Sequence, residues 1–270
     1  MNTYFKNLKT LALVFFLLSL LVSCKEDEVE IPEDQAVKIQ IISNGSFGNI
    51  LVNQKNQSLY FFAGDVTGTS NCNGGCAEVW PPLVGEVNDM EFGGGLDKSD
   101  FSTTVREDGQ KQITYKGWPL YYFSPEGDGE LETPNEISGD GKNGVFYVGK
   151  PDYTVMLGRK SVTEGADPVI YLIDNLGVSL YESVKDETNV SNCNGGCAEV
   201  WPPFAGQENP IVPSTLSKTD FKIINREDGL GYQLTYKGSP LYHFTPDEQT
   251  RGNVKGQGGA GETFFVNEPL

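Results

Sequence analysis

Apolar and polar positions alternate along this chain in short runs, broken every few residues by glycine or a polar turn. Ile50-Leu51-Val52, a polar stretch and Ser58-Leu59-Tyr60-Phe61-Phe62 read as strand, turn, strand. Gln112-Ile113-Thr114-Tyr115, a Lys116-Gly117 turn and Pro119 to Phe123 read the same way. Both units recur further along the chain, around Tyr181 and Tyr242. Long helical heptads are absent. Four strand–turn–strand units in two pairs predict an all-β fold of small antiparallel sheets with short helical turns.

The recurrence is close to literal. Residues 70–82 read SNCNGGCAEVWPP, and residues 191–203 repeat that string at an offset of 121. The same offset carries Leu59-Tyr60 onto Leu180-Tyr181 and Thr114-Tyr115-Lys116-Gly117 onto Thr235-Tyr236-Lys237-Gly238. Arg106-Glu107-Asp108-Gly109 recurs at Arg226-Glu227-Asp228-Gly229, at an offset of 120, so the copies differ by single-residue indels that belong in loops. The expected organisation is a signal segment (1–23), an acidic tether (24–36), a first repeat domain (37–150) and a second (151–270). Gly158 to Pro168 is polar and fits a loop insertion in the second copy.

The first segment carries an address. Lys6 and Lys9 precede an almost unbroken apolar run from Thr10 to Val22. That run is shorter than the roughly 20 residues a bilayer span needs, so it predicts an export signal rather than a stable span. Leu21-Val22-Ser23-Cys24 resembles a bacterial lipobox, which implies lipid attachment at Cys24. Several acyl chains give durable anchoring. Lys25-Glu26-Asp27-Glu28 is similar to the signal that sends Bacteroidota lipoproteins to the outer face of the outer membrane. The expected location is the outer membrane, facing the exterior, with a periplasmic orientation as the alternative.

Charge narrows the partners. Without Lys6 and Lys9 the chain keeps 18 basic residues against 37 acidic ones, a net of −19. A field of that sign repels phosphates, so nucleic acid is excluded as a partner. The expected partners are the membrane, through the lipid, and an extracellular or envelope ligand.

Leu-Tyr-x-Phe-x-x-Asp, then Cys-x-Gly-x-Cys-Ala-x-x-Trp-Pro-Pro, then Tyr-x-Gly-x-Pro-Leu-Tyr-x-Phe resembles the bacterial family called secreted repeat with Y-x4-D motif. These are predicted lipoproteins without an assigned function, so the resemblance implies no mechanism. Its namesake pairs fall at Tyr60/Asp65, Tyr121/Glu126, Tyr181/Asp186 and Tyr242/Asp247. The chain departs from the pattern at Glu126, where Asp is usual, at Glu182-Ser183-Val184, which lacks the aromatic after Tyr181, and in the closing strands, where Phe stands in for Trp.

Chemistry-bearing residues are few. In an oxidising compartment Cys72-x3-Cys76 and Cys193-x3-Cys197 predict two disulfides, with the intervening glycines supplying the freedom to close small rings. A four-thiolate zinc site or a redox-active pair is the sharper alternative; Glu78 and Glu199 nearby oppose thiolate formation. Trp80 and Trp201 are expected to pack beside the bridges, against a ligand-stacking role. Five residues after each tyrosine, the acid is expected in a turn accepting backbone N–H groups, with the tyrosine half-buried and its hydroxyl at the rim. The competing reading is a carboxylate set facing a ligand or calcium, whose oxygen spacing the second copy does not reproduce. His243, the only histidine, cannot build a histidine-rich metal site and is expected on a strand surface. Gly-x-Ser-x-Gly is absent. No metal or cofactor is expected. The leading function is a non-catalytic binding or scaffolding module; the alternatives are a thiol–disulfide or electron-transfer protein and a carboxylate-based hydrolase.

Overall fold

The computed structural model describes residues 37–269. The signal segment 1–23, the anchor Cys24 and the tether 24–36 lie outside the described residues. The fold is all-β. In the first half, β1 (Lys38–Asn44) and β2 (Gly48–Asn53) form an antiparallel hairpin, and β3 (Tyr60–Phe62) follows at once. α1 (Gly75–Val79) is the single turn between the disulfide and the tryptophan. A short β4 (Glu91–Phe92) runs parallel to β1. Then β5 (Phe101–Val105), β6 (Lys111–Tyr115) and β7 (Trp118–Pro119) form a meander, and β8 (Phe146–Val148) returns to pair with β3.

The second half repeats this order, without a counterpart of β4 among the described residues. It comprises β9 (Val155–Lys160), β10 (Val169–Asp174), β11 (Tyr181–Ser183), α2 (Gly196–Val200), β12 (Phe221–Asn225), β13 (Tyr232–Tyr236), β14 (Ser239–Pro240) and β15 (Phe264–Val266). The register is conserved: Val155 opposes Asp174 as Ile39 opposes Asn53. The expected insertion in the second copy is shorter than Gly158 to Pro168. Gly158–Lys160 complete β9, and the loop is 161–168, where the first half has 45–47. Gly158 pairs with Tyr171 in the strand, and glycine is required there because a Cβ would sit 2.9 Å from Val66 Cγ2 of the first half.

The tight turns follow from local chemistry. Lys116 and Gly117 both take positive φ, 47° and 77°, as a two-residue hairpin turn matched to strand twist requires. Lys237 and Gly238 do the same at 48° and 89°.

The two copies do not stand apart. Ala36–Leu270 is one compact unit, and one hydrophobic cluster crosses the Lys150–Pro151 sequence boundary. Tyr147 donates its hydroxyl to Leu157 O, and Tyr153 donates to Val148 O. Arg251, from the second half, lies with its guanidinium 4.5 Å over the Trp118 ring and donates to Val66 O and Lys116 O of the first. A second cluster, around Tyr60, Cys72, Trp80 and Tyr121, belongs to the first half alone.

Candidate functional site

In each half the two motif strands lie directly against each other. Tyr60 N donates to Tyr121 O at 2.8 Å and Tyr121 N to Tyr60 O at 3.1 Å; Tyr181 and Tyr242 exchange the same two bonds at 2.9 Å. Directly opposed residues in an antiparallel pair share a face, so each pair of tyrosines enters one interior. All four rings have no exposed surface. They are therefore not half-buried with rim hydroxyls, because that interior is closed by Trp80 and Phe146 in one half and Trp201 and Phe264 in the other.

The hydroxyls then find acids, but not their own. Tyr121 donates to Asp65 Oδ2 at 2.6 Å, and Tyr242 to Asp186 Oδ2 at 2.6 Å. Tyr181 donates to Asp247 Oδ2 at 2.5 Å. Each tyrosine closes on the acid that follows the opposite motif strand, so the motif is reciprocal: one strand's tyrosine serves the other strand's carboxylate. The fourth partner corrects the sequence assignment. Tyr60 donates to Glu132 Oε1 at 2.5 Å, whereas Glu126 is exposed. The first half carries a longer loop after Pro125, which turns outward at Gly127, and the chain re-enters the interior only at Glu132.

Two kinds of support hold these pairs. Asp65 and Asp186 accept the backbone N–H of Asn71 and Asn192, each at 2.7 Å. Behind their tyrosines stands a buried arginine. Arg106 Nη1 donates to Ser70 Oγ at 2.6 Å and Gln112 Oε1 at 2.7 Å; Arg226 Nη1 donates to Ser191 Oγ and Gln233 Oε1, both at 2.6 Å. A guanidinium only donates, so each serine oxygen accepts from the arginine and stands beside a tyrosine hydroxyl, 2.8 Å from Tyr121 and 2.6 Å from Tyr242, where either oxygen can donate; the tyrosine passes its O–H to the carboxylate. Arginine, serine, tyrosine and acid thereby form one continuous chain of hydrogen bonds. The second pair in each half is loop-supported. Gly139 N and Gly256 N donate to Tyr60 and Tyr181 hydroxyls, and Glu132 and Asp247 accept from Ser138 N and Lys255 N.

Burial governs the electrostatics. It pushes the Asp65 carboxyl up to about 7, against the lowering effect of its hydrogen bonds from Tyr121 and Asn71 and of the Arg106 charge. Burial also raises Glu132, Asp186 and Asp247 above the ordinary carboxylate range. It drives all four tyrosine hydroxyls far upward, and the neighbouring carboxylates add to the rise. The tyrosines are thus neutral donors.

The disulfides abut this interior. Cys72–Cys76 and Cys193–Cys197 are bonded, each with Cα atoms 5.2 Å apart. Arg106 Nη2 donates to Cys72 O, and Arg226 Nη2 to Cys193 O, so the arginine fastens the bridge to the tyrosine network. Cys72 and Cys193 are buried; Cys76 and Cys197 are half-buried. Trp80 stacks on Phe146 with centroids 3.8 Å apart, and Trp201 on Phe264 at 3.9 Å. Both indoles are therefore inside the fold. His243 is not a free surface residue either: its Nε2 lies 3.2 Å from Asp174 Oδ2, where the first half pairs Tyr122 with Asn53.

Sequence reasoning did not assign Arg106, Arg226, Ser70, Ser191, Gln112, Gln233 or Glu132. The signal for the arginines was available in the recurring Arg-Glu-Asp-Gly turn, and for the serines in the identical segment 70–82. Among the described residues, no group of three or more His, Cys, Asp or Glu side chains is placed to hold a metal. No described helix is long and apolar enough to cross a membrane. Residues 42–84 and 102–148 match a family model described as a secreted repeat of unknown function. No curated protein and no solved structure matches the chain.

Proposed function

Residues 42–84 and 102–148 match the model of a secreted repeat of unknown function, and from that likeness we propose a lipid-anchored surface protein whose repeats are a non-catalytic binding or scaffolding module. One observation carries the reading. All four motif tyrosines are buried, and each hydroxyl is spent on a carboxylate inside the fold. The residues most suggestive of a ligand site are instead the interior braces of a disulfide-stapled sheet. Contacts with an extracellular ligand fall to the exposed loops and strand rims. The acidic tether behind Cys24 gives those surfaces reach from the membrane.

The experiment is protease shaving of intact cells, beside a Cys24→Ser chain. The reading expects shaving to remove the wild-type protein and the Cys24→Ser chain to leave the membrane fraction. Wild-type protein protected from protease overturns the outward orientation. An unchanged membrane fraction for Cys24→Ser overturns the anchor. A thiol-exchange role is the second reading, favoured by the half-buried sulfurs Cys76 and Cys197. It requires both bridges to exchange with a dithiol poised well above about −300 mV, the range below which structural disulfides sit.

A further inference from the structure

The second half is seated on a particular face of the first. Phe61, Val66 and Trp118 are each about 1 % exposed. Met156 of β9 lies with Phe61 and Trp118, and Gly158 lies against Val66. Tyr153 packs on Phe61 with centroids 6.4 Å apart, and Arg251 covers Trp118.

The repeat supplies its own comparison. At the offset of 121, these three positions become Glu182, Glu187 and Ser239 in the second half. There Glu182 and Ser239 are half-buried and Glu187 is exposed. Glu182 keeps the strand pairing of Phe61 but turns its carboxylate to the Asn267 amide at 2.7 Å. The strand pairing is shared by both faces, while the side chains that receive a neighbour have changed from apolar to acidic or small.

We infer that the Phe61–Val66–Trp118 face is the surface on which one repeat receives the next. The second half has withdrawn from that use through Glu182, Glu187 and Ser239. Burying two glutamates, which have no cationic partner among the described residues, against another apolar hairpin carries a large desolvation penalty, so a further copy of the repeat is refused. The polar outer face of a terminal unit serves the same end in stacked-repeat proteins generally. The partner the unmodified face fits is another copy of this repeat, presenting an aliphatic hairpin with a glycine at the contact.

The test is a Glu182→Phe, Glu187→Val, Ser239→Trp variant of the exported chain that also carries Gln40→Met and Ile42→Gly, the register equivalents of Met156 and Gly158 in the first-half hairpin, followed by size-exclusion chromatography with light scattering over a wide concentration range. The wild-type mass is expected to stay constant, while the folded variant forms dimers and longer head-to-tail species as concentration rises. A Val105→Trp chain, which adds an aromatic at an already exposed apolar position of the first half, is expected to remain like wild type. Circular dichroism and the melting transition establish folding, and Ser239→Trp with the two hairpin changes is the milder variant should the full set fail to fold. A folded variant of constant mass overturns the inference. So does association of the Val105→Trp chain to the same extent, or of wild type itself.

Discussion

Replacing Asp65 by Asn isolates the cost of a buried carboxylate. Asp65 has no exposed surface, and its folded pKa of about 7 stands against an ordinary value of 3.8. Between those values the folded protein holds a proton on Asp65 that the unfolded chain has released. Folding therefore takes up a proton, and stability falls as pH rises from about 4 to about 7. A difference of about 3 pK values corresponds to about 4 kcal/mol, with 2–4 kcal/mol a realistic span once the Tyr121 and Arg106 contacts relax. Asn mimics the neutral acid: its oxygen keeps the Asn71 N–H, and its amide faces Tyr121, which turns its O–H to Ser70. Urea midpoints at half-unit pH steps measure the outcome. The wild-type minus variant stability should decline by 2–4 kcal/mol between about pH 4 and 7.5 and then level off. Parallel profiles refute the reasoning. A difference growing with pH refutes it more strongly, because that is the signature of a carboxylate held below its ordinary range.

Further substitutions follow from the same geometry. Glu132→Ala should cost about 1–3 kcal/mol of unfolding free energy, by removing the acceptors of Tyr60 and Ser138, while Glu126→Ala should stay within about 0.5 kcal/mol; chemical denaturation of the pair separates them. Gly139→Ala should destabilise by about 2 kcal/mol or more, because the new Cβ meets Trp80 at 2.9 Å and Tyr60 and Phe123 at 3.0 Å; the melting temperature and near-ultraviolet dichroism report it. Arg251→Ala should cost about 2–4 kcal/mol, since it removes the cation over Trp118 and leaves Val66 O and Lys116 O without their donor. Hydrogen exchange in β9 and at residues 63–68 should rise with it.

What the chain discloses at once is what neighbours in sequence decide. The Lys116–Gly117 turn, the strands around it and the helical turn before Trp80 depend on two or three consecutive residues. The exact repeat discloses the doubling. What stayed hidden is decided by residues far apart. Tyr60 and Tyr121 oppose each other across a loop-rich interval, and that pairing, not the spacing from tyrosine to acid, determines which carboxylate each hydroxyl meets. Following the spacing points to Glu126; following the contact points to Glu132. Arg106 stands in an acidic turn that reads as solvated, yet its side chain is 2 % exposed because Ser70 and Cys72 O from one segment and Gln112 from another face it. The shared core across Lys150 and Pro151 was legible only as an asymmetry between Phe61 and Glu182.

Double-mutant cycles on Asp65 test the reciprocal brace most directly. Tyr121→Phe with Asp65→Asn should show about 1–3 kcal/mol of coupling in unfolding free energy, whereas Tyr60→Phe with Asp65→Asn, the pair joined by the motif spacing, should add within about 0.5 kcal/mol. Equal coupling in both cycles, or the larger value in the Tyr60 cycle, contradicts the account.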